Sequence, residues 1–192
     1  MKNTKKLAIC AIMCAISVVF TRLLSFQIPI AGLPVIRIGF GSIPIIIAGI
    51  VCGAFWGGVV GAVADLFGCL LNLMGTTFFP GFTLSAALTG IIPALCLKYV
   101  LKPHLGKSRV FSTVSVCVAV VINEVIVSFA LNTLWLCIMY GQGFIVLAMP
   151  RIISVACMMF INSFFTCLIL RAIIRLPMAG LYNPYAVRNA QG

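Results

Sequence analysis

From Leu7 to Phe26 the chain runs for twenty residues with a single charge, Arg22. Five more apolar stretches follow, near 38 to 53, 54 to 74, 82 to 101, 110 to 136 and 148 to 174. A helix needs about 20 mostly apolar residues to cross a bilayer, where each unpaired backbone group costs several kcal/mol and a helix satisfies its own. The expected fold is therefore an all-α integral membrane protein, with six transmembrane helices in one bundle and a single membrane domain over residues 1–192.

Composition removes the soluble alternative. Apolar residues make up 63% of the chain and charged ones 8%, against roughly 25% charged in an ordinary globular domain. Thirteen Lys and Arg face two acids, a net charge of +11. In a soluble protein that balance would suggest nucleic acid, but an excess of cations in short loops is what membrane insertion alone requires, so no nucleic-acid partner is expected. The nine cysteines are odd in number, lack Cys-x-x-Cys spacing and lie almost entirely inside apolar runs. They read as small hydrophobes, with no metal site. The basic start, Lys2, Lys5 and Lys6, mimics a signal peptide, but the apolar run continues well past the roughly 7 to 15 residues of a removable segment, so a retained first helix is expected.

Gly39, Gly41, Pro44 and Gly49 interrupt the second stretch. A short or broken helix at membrane depth is tolerated only against protein or a wet cavity, which puts this one in the bundle interior. With both termini cytoplasmic, ten of the thirteen cations lie inside, as the insertion bias requires, and Arg22, Arg37 and Arg151 are left at the outer ends of the first, second and sixth spans. A lone arginine there snorkels to lipid phosphate. Three on one face suit a ligand bearing carboxylates, which a guanidinium fork pairs with bidentately.

The two acids, Asp65 and Glu124, lie mid-span, where an unpaired charge costs at least about 2.5 kcal/mol. Each heads a polar stripe: Asp65, Gly68 and Asn72 on the third span, and Glu124, Ser128, Asn132 and Trp135 on the fifth. Arg151, Ser154, Met158 and Asn162 form another on the sixth. Such stripes converge on one interior or serve as interhelical glue, the reading preferred for Ser154 and Asn162, whereas Asp65 and Asn132 exceed what glue requires. Phe78, Phe79 and Phe82 crowd an outer loop near Trp135 and Tyr140, a stacking wall for a flat ligand. The uncharged loop from Gln27 to Ile36, with Pro29, Gly32 and Pro34, reads as a lid. Gly53, Gly57 and Gly61 repeat at i+4 and suit close packing inside the bundle; Ala8, Ala11 and Ala15 line a narrow face of the first span that suits either the bundle or a second subunit.

No catalytic constellation, metal site or cofactor is implied. The sole histidine is His104, in a cytoplasmic loop, and Gly106-Lys107-Ser108 lacks the upstream glycine of an ATP-binding loop. Any ATP must be hydrolysed by another polypeptide.

Three stretches carry a family likeness: Ile36-Arg37-Ile38-Gly39-Phe40-Gly41-Ser42-Ile43-Pro44, then Gly61-Ala62-Val63-Ala64-Asp65-Leu66, then Phe79-Pro80-Gly81-Phe82-Thr83-Leu84-Ser85-Ala86. With the six-span plan, they resemble the substrate-binding (S) subunits of energy-coupling-factor vitamin transporters, specifically the folate branch. The resemblance implies a subunit that binds its vitamin from outside, between the outer loops and the fourth to sixth helices. It also implies association with a transmembrane coupling subunit and two cytoplasmic ATPases, tipping in the membrane to release substrate, and docking through an Ala-x-x-x-Ala face on the first helix. Ala11 and Ala15 keep that spacing here.

Folate presents a flat pterin with a hydrogen-bond-donating edge, an aromatic linker and a dianionic tail. The expected site has Asp65 with Asn72 or Asn132 on the pterin edge, Phe79, Phe82 and Trp135 packing the rings, and two or more of Arg22, Arg37 and Arg151 on the tail, with Thr83 in the same motif. The alternatives are an S subunit for pantothenate or riboflavin, or a small membrane scaffold.

Overall fold

The structure, a computed structural model, describes residues 2–23, 25–30, 33–71, 79–100 and 109–175. Helix α1 (Lys2–Leu23) leads into an antiparallel hairpin of β1 (Ser25–Ile30) and β2 (Leu33–Gly39). The short α2 (Ser42–Cys52), then α3 (Ala54–Leu71) and α4 (Pro80–Leu95) follow, and a π turn extends α4 over Cys96–Val100. The next span is composite, with α5 (Arg109–Asn123), a π-helical stretch (Glu124–Leu131) and α6 (Asn132–Tyr140) in succession; α7 (Phe144–Arg175) closes the bundle.

Five of these segments are long and apolar enough to cross a membrane, and α2 is a shorter apolar helix. The surface is apolar, unlike that of a water-soluble protein, and polar side chains are buried beside the apolar core. Phe55, Leu70 and Phe160 are 76–82% exposed, while Ser17, Asn123, Glu124, Thr133, Asn162 and Thr166 are at most 1% exposed. That arrangement suits lipid outside and polar contacts inside.

Eleven residues of α2 extend only about 16 Å, half of the roughly 30 Å hydrocarbon thickness. Ile43 through Ile50 are accordingly all buried, against α1, α3 and α4. Glycines let these helices touch through their backbones. A Cβ on Gly49 would strike the Gly90 carbonyl, one on Gly90 the Gly57 carbonyl, and one on Gly61 the Ala86 carbonyl. Gly53 does something different from what its spacing suggests: at φ +106°, with open space around it, it makes the joint between α2 and α3.

The hairpin is where the second apolar stretch departs from expectation. Ile38 and Gly39, read as the start of the second span, belong to β2 together with Arg37, whose backbone pairs with Gln27. Proline within a strand counts against a sheet because it removes a donor. Here both strands are edges, and the register shifts between Ile28 and Ile30, so Pro29 sits at the irregularity. The hairpin emerges from the end of α1, and β2 packs on α7.

Candidate functional site

A cavity of about 260 Å³ lies inside the bundle, with α1, α3 and α4 on one side and the π stretch, α6 and α7 on the other. Its volume falls just below the roughly 300–1,000 Å³ of typical small-ligand pockets. The residues at the base of the hairpin, Ser25 and Gly39, are part of its lining.

On the first wall, Arg22 and Asp65 face the cavity together. The Arg22 guanidinium lies over α3, with Nη2 3.8 Å from Cys69 Sγ. Gly68 makes room for it, since a Cβ there would come within 2.8 Å of the same nitrogen. Asp65, one turn along α3, accepts a hydrogen bond from Thr83 Oγ1 at 2.8 Å. That bond joins α3 to α4 at the level where the aromatic cluster begins.

The cluster is Phe79, Phe82 and Trp135. Phe79 meets Phe82 edge-on at 6.1 Å between ring centroids and lies 5.7 Å from Trp135. Gly81 supplies the space, because a Cβ there would lie 2.5–2.6 Å from both the Phe79 and Trp135 rings. Phe79 and Phe82 line the cavity. Trp135 stands behind them and donates from Nε1 to Ser85 Oγ at 3.1 Å.

The second wall carries Glu124, Ser128 and Asn132 from the fifth span and Arg151, Ser154 and Met158 from α7. Arg151 Nη2 donates to the Ser128 carbonyl at 2.7 Å. Glu124, 1% exposed, accepts from Asn162 Nδ2 at 2.7 Å. The π stretch, a rare geometry that recurs at functional sites, presents Glu124 and Ser128 to the cavity.

Of the expected site residues, Arg22, Asp65, Phe79, Phe82, Asn132 and Arg151 line this one cavity, with Thr83 and Trp135 directly behind its surface. Arg22 and Arg151 stand on opposite walls. Asn72 and the Arg37 side chain lie outside the described residues. Ala8, Ala11 and Ala15 are exposed on one face of α1, away from buried Cys10 and Ser17. Asn162, read as glue, does make an interhelical hydrogen bond, to Glu124, whereas Ser154, read the same way, lines the cavity.

Sequence reasoning passed over Ser17, Thr21 and Ser25 from α1 and its exit, and Ser85 and Thr89 on α4, all of which face the cavity. Both sets recur at i and i+4, the same periodicity that revealed the stripes on the other spans. Applied to the first and fourth spans, it would have found them.

A bundle with apolar side chains outside and charged groups around an internal cavity is the construction of a membrane protein that takes up a small polar solute. Residues 5–170 match the family described as ECF transporter, substrate-specific component. The chain is 36% identical over 163 residues to the folate transporter FolT of Clostridium novyi (strain NT), covering 85% of this chain and 86% of that protein. It also superimposes on a crystal structure of FolT bound with folic acid, with a TM-score of 0.66 and 29% identity over 85% of this chain and 90% of that one. This chain belongs to the family of substrate-specific components of ECF transporters. Its part in such a transporter is to bind the transported molecule, so it is not an enzyme.

Proposed function

We propose that this chain is the folate-binding S subunit of an ECF-type importer, capturing folate from outside the cell in the cavity between its two walls and delivering it inward. The single observation that carries the reading is one cavity combining Arg22 and Arg151, two carboxyl groups and the Phe79–Phe82 wall, in a chain similar to a folate-bound structure. Folate needs all three kinds of group. Its tail carries two carboxylates for guanidinium donors, its rings are flat, and its pterin edge donates hydrogen bonds to an acid. Two or more of Arg22, Arg37 and Arg151 hold the tail. Phe79 and Phe82 pack the rings, with Trp135 bracing them. Riboflavin lacks the two carboxylates, and pantothenate has no ring to stack.

The amino and carboxyl termini lie in the cytoplasm, which puts ten of thirteen cations on that side. The hairpin then stands at the outer face as a lid. The partners are a transmembrane coupling subunit, which docks on the Ala8, Ala11 and Ala15 face of α1, and two cytoplasmic ATPases that supply the energy.

The test is thermal stabilisation of the detergent-solubilised protein by folate, riboflavin and pantothenate, since a ligand stabilises only the state that binds it. Folate alone should raise the melting temperature. A shift with riboflavin or pantothenate and none with folate would overturn the assignment, and no shift with any vitamin would favour a scaffold.

A further inference from the structure

We propose that Cys117 and Cys167 are a reversible oxidation site: a peroxide joins their thiols into a disulfide that staples α5 to α7 at the end of the polar wall away from the hairpin. This modification is separate from the capture of a vitamin in the cavity.

The two sulfurs lie 3.4 Å apart, on helices whose cysteines are 50 positions apart in the chain. A disulfide bond is about 2.0 Å long, so each sulfur need travel only about 0.7 Å to form one. Polar pairs hold α5 and α7 together on either side of the thiols. Arg171 Nη2 donates to Thr113 Oγ1 at 3.0 Å on one side, and Asn162 Nδ2 to Glu124 Oε1 at 2.7 Å on the other. Cys117 precedes Glu124 by seven residues, about 10 Å along the helix at 1.5 Å per residue. A bridge there fastens the polar wall just beyond the cavity.

Access separates this pair from a second one. Cys10 and Cys52 also hydrogen-bond, across α1 and α2, but both are buried in an apolar cluster with Ile45, Val60 and Ala64. Cys117 and Cys167 are half-buried. Cys167 Sγ lies 3.8 Å from the carbonyl of Thr113, the residue that also holds the exposed Arg171 guanidinium. Thiols sealed in an apolar core are inert, whereas reactive ones are partly exposed beside a cation.

The step balances with hydrogen peroxide as the oxidant. One thiol sulfur attacks a peroxide oxygen, the O–O bond breaks, and the products are a sulfenic acid and water. The second thiol attacks that sulfur, forming the S–S bond, and the sulfenic oxygen leaves as water with the second thiol's proton. The two sulfurs together lose two electrons and the peroxide gains them. A dithiol reductant reverses the change by exchange. In the orientation proposed above, this end of the helices faces the cytoplasm, where the thiol form is the resting state and disulfides are transient.

The test treats the detergent-solubilised protein with hydrogen peroxide, caps the remaining thiols with N-ethylmaleimide and maps disulfides by peptide mass spectrometry, alongside thermal melting. A bridge between Cys117 and Cys167 should dominate the map and raise the melting temperature by about 4 °C or more, as expected for a cross-link closing a long loop. Dithiothreitol should undo both effects, and neither should appear in Cys117→Ala or Cys167→Ala. Should one variant fail to fold, the other serves; the peptide map needs only the unmodified protein. Peroxide that oxidises exposed Cys157 but leaves both thiols open to N-ethylmaleimide overturns the site. A Cys10–Cys52 bridge in its place overturns it too, as do separate sulfinic acids at Cys117 and Cys167. A bridge that leaves the melting temperature unchanged overturns the staple. None of these outcomes depends on which vitamin the cavity binds, so the oxidation site and the folate reading stand or fall separately.

Discussion

The two sides of the cavity are built by opposite means. Helices α2, α3 and α4 meet through Gly49, Gly57, Gly61 and Gly90, close enough that any side chain at these positions would strike a neighbouring backbone. Across the cavity, α5 to α7 bury polar groups whose hydrogen bonds are incomplete: both side-chain polar atoms of Asn123, Asn162 Oδ1 and the Thr166 hydroxyl lack partners. One side is a block locked by backbone contact, polar only where Asp65, Ser85 and Thr89 line the cavity. The other is a polar wall with room to rearrange around a ligand, which matters because the cavity as it stands is slightly small for one.

The largest effect expected from this contrast is on the glycine block. Gly57→Val should cost about 3 kcal/mol or more, the upper end for overpacking, since what it strikes is backbone and has no rotamer to adopt. Loss of the monodisperse peak in size-exclusion chromatography and a depressed melting temperature would report it. A melting temperature within a degree of the unmodified protein would break the comparison.

Next comes charge at the cavity. Arg22→Ala combined with Arg37→Ala should weaken folate binding by about 2–5 kcal/mol, the cost of stripping partners from desolvated carboxylates. Equilibrium binding with labelled folate measures it, and unchanged affinity would remove the tail assignment. Trp135→Phe keeps the ring wall but deletes the Nε1 hydrogen bond to Ser85. A loss of about 1 kcal/mol in affinity or stability is expected, read by the same binding assay and by thermal melting.

The smallest effect sharpens the contrast from the other side. Thr166→Val removes a buried hydroxyl that has no partner and keeps the shape, so stability should stay level or rise by up to about 1 kcal/mol. A clear loss would mean that the polar wall is as tightly specified as the glycine block. Hydrogen exchange offers an independent view: amides of the π stretch should exchange faster than those of α2 and α3, and folate should slow the former more.

How much of this was legible beforehand differs along the chain. Spans of apolar residues are read directly because hydrocarbon permits so few alternatives, and the class of protein followed from them. The stripes on the third, fifth and sixth spans identified Asp65, Asn132 and Arg151 as facing inward because polar side chains at helical spacing have one economical destination. The hairpin was hidden. Pro29 and Pro34 argue against strands locally, and only the shifted register between Ile28 and Ile30, a property of the pair, accommodates them. Likewise, that Arg22 would rest over Gly68 depends on how α1 crosses α3, and spacing within either helix carries no record of that.

The most direct test of the central claim is the identity of the small molecule that accompanies the purified protein. Native mass spectrometry of protein taken from cells grown with a full set of vitamins should reveal a complex of one folate per chain, lost in the Arg22→Ala, Arg37→Ala variant. A chain that carries riboflavin, pantothenate or only lipid under those conditions would contradict it.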